Sequence, residues 1–260
     1  MRTFRNLITG LFLTGLTSGC QKAFEAYLGL PMQPENINAV FEPGLNIFGI
    51  IKAGPSLDTI NHFFEVHGIL HVFDTSQTMQ VDDATIELKR IRTGSPNMDY
   101  TLNSVSEGRY SNTFISTLGG DRWEYQCLYD TFLITASTIV PQTPKIQEGS
   151  MTFSHQKIRF NITPDSTAFM YDVYYYSINT YDFQRLIPIP GTPTTVEINA
   201  IVNQGTHSSV LYVIAYDANY EKYVSSSNTF FKPNAYRPRF STVTGGYGCF
   251  CSANILHLQL

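Results

Sequence analysis

The chain has 260 residues, of which 43% are hydrophobic and only 15% are charged, which supplies a core and excludes a disordered chain. A net charge of −4 gives no basic surface, so nucleic acid is not an expected partner. The length suits one large or two small domains, and 16 Tyr and 18 Phe among many Thr, Ser and Val favour β structure.

The chain opens with a small positive start, Arg2 and Arg5, followed by an apolar run from Leu7 to Leu16. A membrane-spanning helix needs roughly 20 apolar residues, and this run is about half as long, which fits a signal-peptide core. Small residues then precede Cys20, as the narrow pocket of a signal peptidase requires. The stretch Leu16-Thr17-Ser18-Gly19-Cys20 resembles a bacterial lipobox. The resemblance implies that residues 1–19 are a signal peptide and that Cys20 becomes an acylated N-terminus with membrane lipid as its partner. Each buried CH₂ contributes about 0.8 kcal/mol, and two or three chains hold firmly where one holds marginally. Two other readings are a secreted protein with an incidental Cys20 and an uncleaved N-terminal anchor.

Residues 20–43, with Pro31, Pro34 and Pro43, read as a tether with a short helix at Ala23–Leu28. Its reach is about 75 Å fully extended and about 27 Å as a flexible coil. Gln21-Lys22 with Glu25 loosely resembles the surface-export signal of Bacteroidetes lipoproteins.

Strand signals recur through residues 44–140, which the spacing assigns to one β-sandwich. LNIFGII is the first. In HFFEVHGILHVFD, Phe64, Val66, Leu70 and Val72 share one face, and Glu65, His67 and His71 share the other. ATIELKR turns Ala84, Ile86 and Leu88 inward, and GRYSNTFI follows a Glu107-Gly108 turn. Trp123, Tyr125 and Cys127 alternate with polar residues. A turn near Tyr129-Asp130 then leads to Phe132, Ile134 and Ala136. This is a hairpin with an aromatic core and a buried Trp123.

VPQTP, with two prolines, marks a boundary, and residues 141–260 form a second β unit. Its strands are KIRFNIT, AFMYDVYYYSI, TTVEINAIV and VLYVIAYD. Tyr220, Tyr223 and Val224 fall at helical spacing, which predicts a short amphipathic helix over Asp217–Ser226 capped by Asp217. KPNAYRPRF reads as an extended loop, and GGYGCFCSANILHL as a Gly-rich turn entering a last strand. The fold class expected is all-β: two sandwich-like units, with one short helix in the second, after a signal peptide.

With Cys20 lipidated, Cys127, Cys249 and Cys251 remain, and an odd number argues against a disulfide framework. They read as buried or semi-buried thiols. A bridge from Cys127 to the C-terminal pair is the alternative in an oxidising compartment. No cofactor and no metal are expected.

The segments NIFGII, VDDATIELKR, EGRY, ITASTIVP, DANYEKYVSS and VTGGYGCF, scattered over residues 45–252, resemble a family of Bacteroidetes envelope lipoproteins described as a domain of unknown function. The resemblance implies an immunoglobulin- or carboxypeptidase-regulatory-like domain followed by a fibronectin-III-like half that closes with Gly-Gly-x-Gly-x-Phe. It implies an outer-membrane or cell-surface location and association with a TonB-dependent transporter. It supplies no reaction.

The residues themselves point to little chemistry. His62, Glu65, His67 and His71 are the densest cluster. Yet Gly68 stands where a His-Glu-x-x-His zinc helix needs Glu, and the neighbours favour a strand whose histidines face solvent. Asp82-Asp83 reads as a turn without a calcium loop, and no nucleophile elbow surrounds Ser18 or Ser106. The Tyr-rich stretch YDVYYYSINTYDF offers outward rings, Tyr174 and Tyr176 or their alternates, for a sugar- or protein-binding platform. The expected role is non-enzymatic binding or accessory work, with strand addition at a sheet edge as one mode. A surface hydrolase acting on glycans or peptides, and a structural or adhesive module, are the alternatives.

Overall fold

The computed structural model describes residues 43–54, 62–69, 80–154, 156–177, 180–200, 209–227 and 241–260. The expected signal peptide, Cys20, residues 20–42 of the expected tether, residues 70–72 and the expected loop 232–240 lie outside the described residues.

Fifteen strands and one helix are described. They are β1 (Leu45–Ala53), β2 (Phe63–Gly68), β3 (Thr85–Ile91), β4 (Met98–Ser106), β5 (Arg109–Ser111), β6 (Arg122–Tyr129), β7 (Phe132–Ile139), β8 (Lys145–Ile146), β9 (Thr152–Ser154), β10 (Lys157–Thr163), β11 (Met170–Ser177), β12 (Thr180–Leu186), β13 (Thr194–Asn199), β14 (Val210–Tyr216), α1 (Ala218–Ser227) and β15 (Tyr247–Gln259). The fold is all-β with two sandwich-like regions, as the sequence leads one to expect.

One hydrogen-bonded path runs β12-β11-β14-β15-β1-β2-β5-β4-β3-β6-β7. It turns a corner within β4. Residues 98–102 of β4 pair with β3, and beyond them Asn103, Ser104 and Ser106 pair with β5 through a register shift. The shift is a bulge, which bends a strand so that it can change sheets. The first sandwich therefore packs β4-β3-β6-β7 against β5-β2-β1-β15. Its core follows the alternation: Ile86 and Leu88, then Trp123, Tyr125 and Cys127, all buried against Leu45, Ile47, Phe64 and Val66. Trp123 is fully buried, and its indole N–H donates to Thr117 Oγ1 at 2.9 Å, so the one polar atom is satisfied.

The second sandwich sets β12-β11-β14-β15 against the smaller sheet β13-β10-β8, with β9 also paired to β10. This four-on-three arrangement is fibronectin-III-like. Ile158, Phe160 and Ile162 face Tyr171, Val173 and Tyr175 across its core.

β15 serves both sandwiches. Tyr247–Asn254 pair in parallel with β1, and Ala253–Gln259 complete the edge of β14 antiparallel, through Val210–Tyr216. Its two faces separate accordingly: Phe250 enters the first core, while Cys249, Cys251 and Ala253 lie under α1 with Ile50, Tyr216 and the half-buried Tyr220 and Tyr223. Close approach at its start requires glycine. Gly248 has φ +110°, and a Cβ there would meet the Ile47 carbonyl oxygen at 1.8 Å. Gly245, at φ +85°, would meet that of Leu133 at 2.1 Å.

GRYSNTFI forms a shorter strand than its composition predicts. β5 stops at Ser111 because Asn112 turns the chain: its amide donates to Thr101 O at 2.8 Å and its side-chain oxygen accepts from Phe114 N at 2.8 Å. The helix forms as its spacing predicts. Asp217 caps it, Oδ1 accepting from Tyr220 N at 2.9 Å.

Candidate functional site

The outer face of β12-β11-β14-β15 carries the most distinctive surface among the described residues. Inward positions Tyr171, Val173 and Tyr175 of β11 are buried, which turns Asp172, Tyr174 and Tyr176 outward. Tyr174 and Tyr176 thus share a face, as the sequence expects. Strand register aligns three rows across the sheet. Arg185, Asp172, Ile214 and Ile255 form the first; Phe183, Tyr174, Tyr212 and His257 the second; Tyr181, Tyr176, Val210 and Gln259 the third.

The first row is closed. Arg185 holds Asp172 through two hydrogen bonds of 2.7 Å, and Asp172 is fully buried. The guanidinium pKa rises, first because of those hydrogen bonds and then, against the cost of burial, through the Asp172 charge. The same guanidinium stands 5.7 Å from the Phe183 ring centroid. Next to it, Tyr220 of α1 stacks on Tyr216 at 4.1 Å.

The second and third rows are open. Tyr176, Tyr181 and Phe183 are 44%, 58% and 39% exposed, although Phe is usually buried and Tyr usually half-buried. Ring centroids are 4.8 Å apart for Tyr174–Phe183, 5.1 Å for Tyr176–Tyr181 and 5.0 Å for Tyr212–His257. Tyr176 meets Tyr212 edge-on at 6.0 Å, and Tyr174 lies parallel to Tyr176 at 6.2 Å, within 16°. Partial burial, with the charge of Asp172 nearby, pushes the Tyr174 phenol up to about 12, so its hydroxyl stays protonated as a donor. The eight residues of these rows carry neither carboxylate nor ammonium.

Other sequence candidates separate. Glu65 and His67 share the half-buried face of β2 at 3.9 Å, and Arg109 also reaches Glu65. His62 turns elsewhere, its Nδ1 accepting from Lys52 N at 3.2 Å, and burial lowers its pKa to about 4. His71 lies outside the described residues. Asp82 accepts from Gly108 N at 2.6 Å and so braces the β4–β5 turn. Cys127, Cys249 and Cys251 are buried and unbridged, and burial pushes the Cys127 thiol up to about 11. No group of three potential metal ligands occurs among the described residues.

An open trough of about 1000 Å³ lies on the outer face of β4-β3-β6-β7. Its charges alternate in sign: Lys89 stands in register with both Asp99 and Glu124, and Arg122 meets Glu124 at 3.1 Å. Glycoside hydrolysis uses two carboxylates that flank the scissile bond; here Glu87, Asp99 and Glu124 lie spread over an open sheet face, with Glu124 ion-paired to Arg122.

The β7 and β13 edges are partly occupied. Thr135 of β7 exchanges backbone hydrogen bonds with Thr244, Ser137 O accepts from Asn219, and Ile139 O accepts from Ser252. On β13, Glu197 N donates to Gln184 at 3.3 Å and Asn199 N donates to Asp182 at 2.7 Å. Side chains thus satisfy groups that a docking strand would use.

Of the residues in these rows the sequence singles out Tyr174 and Tyr176 but not Phe183, Tyr181, Tyr212 and His257. The alternation in TYDFQRL and VLYVIAYD places three of these on outward positions; the register that joins them is set only by tertiary pairing.

The chain matches no protein-family model and no curated protein. Solved structures give only a faint likeness. The FN1–FN3 domains of chicken CNTN1 match 83% of this chain at 10% identity and a TM-score of 0.28; the match spans 66% of that chain. A two-domain fibronectin type-III segment of chicken tenascin matches 67% of this chain and 91% of its own, at 9% identity and TM-score 0.22. The chicken interferon gamma receptor alpha chain matches 68% and 91%, at 7% identity and TM-score 0.23. The fold assignment rests on the strand pairing itself.

Proposed function

We propose that this chain is a non-catalytic binding or adhesive module whose contact surface is the open aromatic face of β12-β11-β14-β15. The observation that carries the reading is the pair of uncharged rows built around Tyr174 and Tyr176, in which Tyr176, Tyr181, Phe183 and Gln259 are exposed and the others half-buried. Large rings held in register by a sheet offer contact area at low entropic cost. The spread of the trough's acids over an open face and the partly occupied β7 and β13 edges favour this face over catalysis or strand addition at those edges.

The sequence supports a lipid anchor at Cys20 and an outer-membrane or cell-surface location, through the resemblance of residues 16–20 to a lipobox. Anchoring confines the module near its partners, so a weak contact suffices. Accessory work beside an outer-membrane transporter is the narrower form of this reading and rests on the family resemblance alone.

The test is site-specific photo-crosslinking in the native envelope. A benzoyl-phenylalanine at Tyr176 captures a discrete partner, while one at Arg159, exposed on the opposite sheet, does not. Equal adducts from both positions, or none from Tyr176, overturn the assignment of this face. Mass spectrometry of the mature N-terminus tests Cys20: an unmodified cysteine overturns the anchor.

A further inference from the structure

We propose that the two open rows bind a proline-rich segment of a partner protein in the polyproline II conformation. This rests on the aromatic face being the contact surface and adds the chemistry of its occupant. Three observations lead there.

The first is ring geometry. A sugar stacks on a free, flat ring face. At centroid distances of 4.8 and 5.0 Å with tilts of 35° and 32°, Tyr174–Phe183 and Tyr212–His257 cover part of each other's faces. In each pair the neighbour thus takes up part of the face a sugar would need. Tyr174 and Tyr176, 6.2 Å apart and parallel within 16°, form a pair of rings against which a pyrrolidine ring packs from outside.

Size is the second. Four strands and two rows cover roughly 19 Å by 14 Å. That is about a third of the roughly 800 Å² per partner that a stable globular interface needs. A second copy of this chain is therefore not held by the patch alone. Six residues of polyproline II are about 19 Å long and fit its width.

The third is complementarity. The rows carry no carboxylate or ammonium, and their Tyr hydroxyls donate. A polyproline II segment has no internal hydrogen bonds, so its carbonyls are free to accept, and proline brings no N–H that would need a partner. Aromatic surfaces bind such segments in this way because the ligand is already ordered.

The experiment is fluorescence anisotropy with fluorescein-labelled decaproline and the full chain in mild detergent. Saturable binding is expected, weakened about tenfold or more in Tyr174→Ser/Tyr212→Ser. Tyr176→Phe, which keeps the ring and removes the donor, weakens it about three- to tenfold. Melting curves verify that each variant folds, and Tyr176→Phe decides if the double variant does not. Absence of saturable binding, or binding unchanged in Tyr176→Phe, overturns the proposal. Binding of cellohexaose in place of decaproline, lost in the double variant, also overturns it and leaves the face as a glycan site. A partner captured at Tyr176 by crosslinking while decaproline fails shows that the ligand class is wrong and the face is right.

Discussion

Thr138 on β7 donates its hydroxyl proton to the carboxylate of Asp217, which caps α1 79 residues further along the chain. Thr138 Oγ1 also lies 2.7 Å from Ser252 Oγ of β15, and Asp217 N donates to Ser252 O at 3.1 Å. One buried polar knot thus fastens the edge of the first sandwich to the shared strand and the helix.

The knot makes stability depend on pH. Burial raises the Asp217 carboxyl from 3.8 to about 6, despite the Thr138, Tyr220 and Ser252 hydrogen bonds that oppose the shift. The folded chain therefore binds more protons than the unfolded chain between about pH 4 and pH 6. Its contribution is full below about pH 4 and is lost as pH rises through 6, about 3 kcal/mol in all. Asp217→Asn keeps the cap and removes this slope. Urea melts at pH 4 and pH 7 check it: the wild type gains on the variant at pH 4 and loses that gain at pH 7.

Arg92 and Asp121 have the opposite sense. Burial opposes the Asp121 charge, but two Arg92 hydrogen bonds of 2.6 Å and one from Leu118 N at 2.8 Å outweigh it and lower the pKa. The stability this gives is present above the ordinary carboxylate range and lost as pH falls below it. Arg92→Met leaves a buried carboxylate without its cation and costs about 2–4 kcal/mol at pH 7, measured by chemical denaturation. An unchanged midpoint would refute it.

Gly248→Ala forces a Cβ into the Ile47 carbonyl at a φ of +110°. The expected loss exceeds about 3 kcal/mol, with both sandwiches melting early, because β15 belongs to both. Gly94→Ala, where nothing lies within 4 Å, costs far less despite its φ of +76°.

Tyr176→Ser and Tyr181→Ser change stability by less than about 1 kcal/mol, since both rings are exposed. Their effect falls on partner capture. A large drop in melting temperature would assign these rings to structure.

Cys127, Cys249 and Cys251 resist thiol reagents in the folded chain and react only on unfolding, because burial keeps them out of reach and raises the Cys127 and Cys251 thiol pKa values. Reaction of any of them under native conditions at neutral pH would contradict the packing beneath α1 and in the first core.

Period-two alternation made much of this legible. It placed Ala84, Ile86 and Leu88 inward, buried Trp123, and turned Tyr174 and Tyr176 to one face. The Asp217 cap was legible from helical spacing and a short polar side chain. What stayed hidden depends on partners distant in sequence. Nothing local to YGCFCSANILHLQ says that its first half pairs with β1 and its second with β14. Nor does YDVYYYS say that Phe183, Tyr212 and His257 stand in register beside it. β5 ends at Ser111, short of what GRYSNTFI suggests, because Asn112 turns the chain through side-chain bonds that composition does not reveal.

The double use of β15 also sets an order of events during synthesis. β1 is among the first strands made, and its parallel neighbour begins at Tyr247. At about 5–20 residues per second, β1 waits roughly 10–40 seconds for that neighbour. The first sandwich therefore emerges with an open edge and an unfilled place where Phe250 belongs. Each half finishes only when residues 247–259 arrive, so both sandwiches stay incomplete on the nascent chain until synthesis has passed β15.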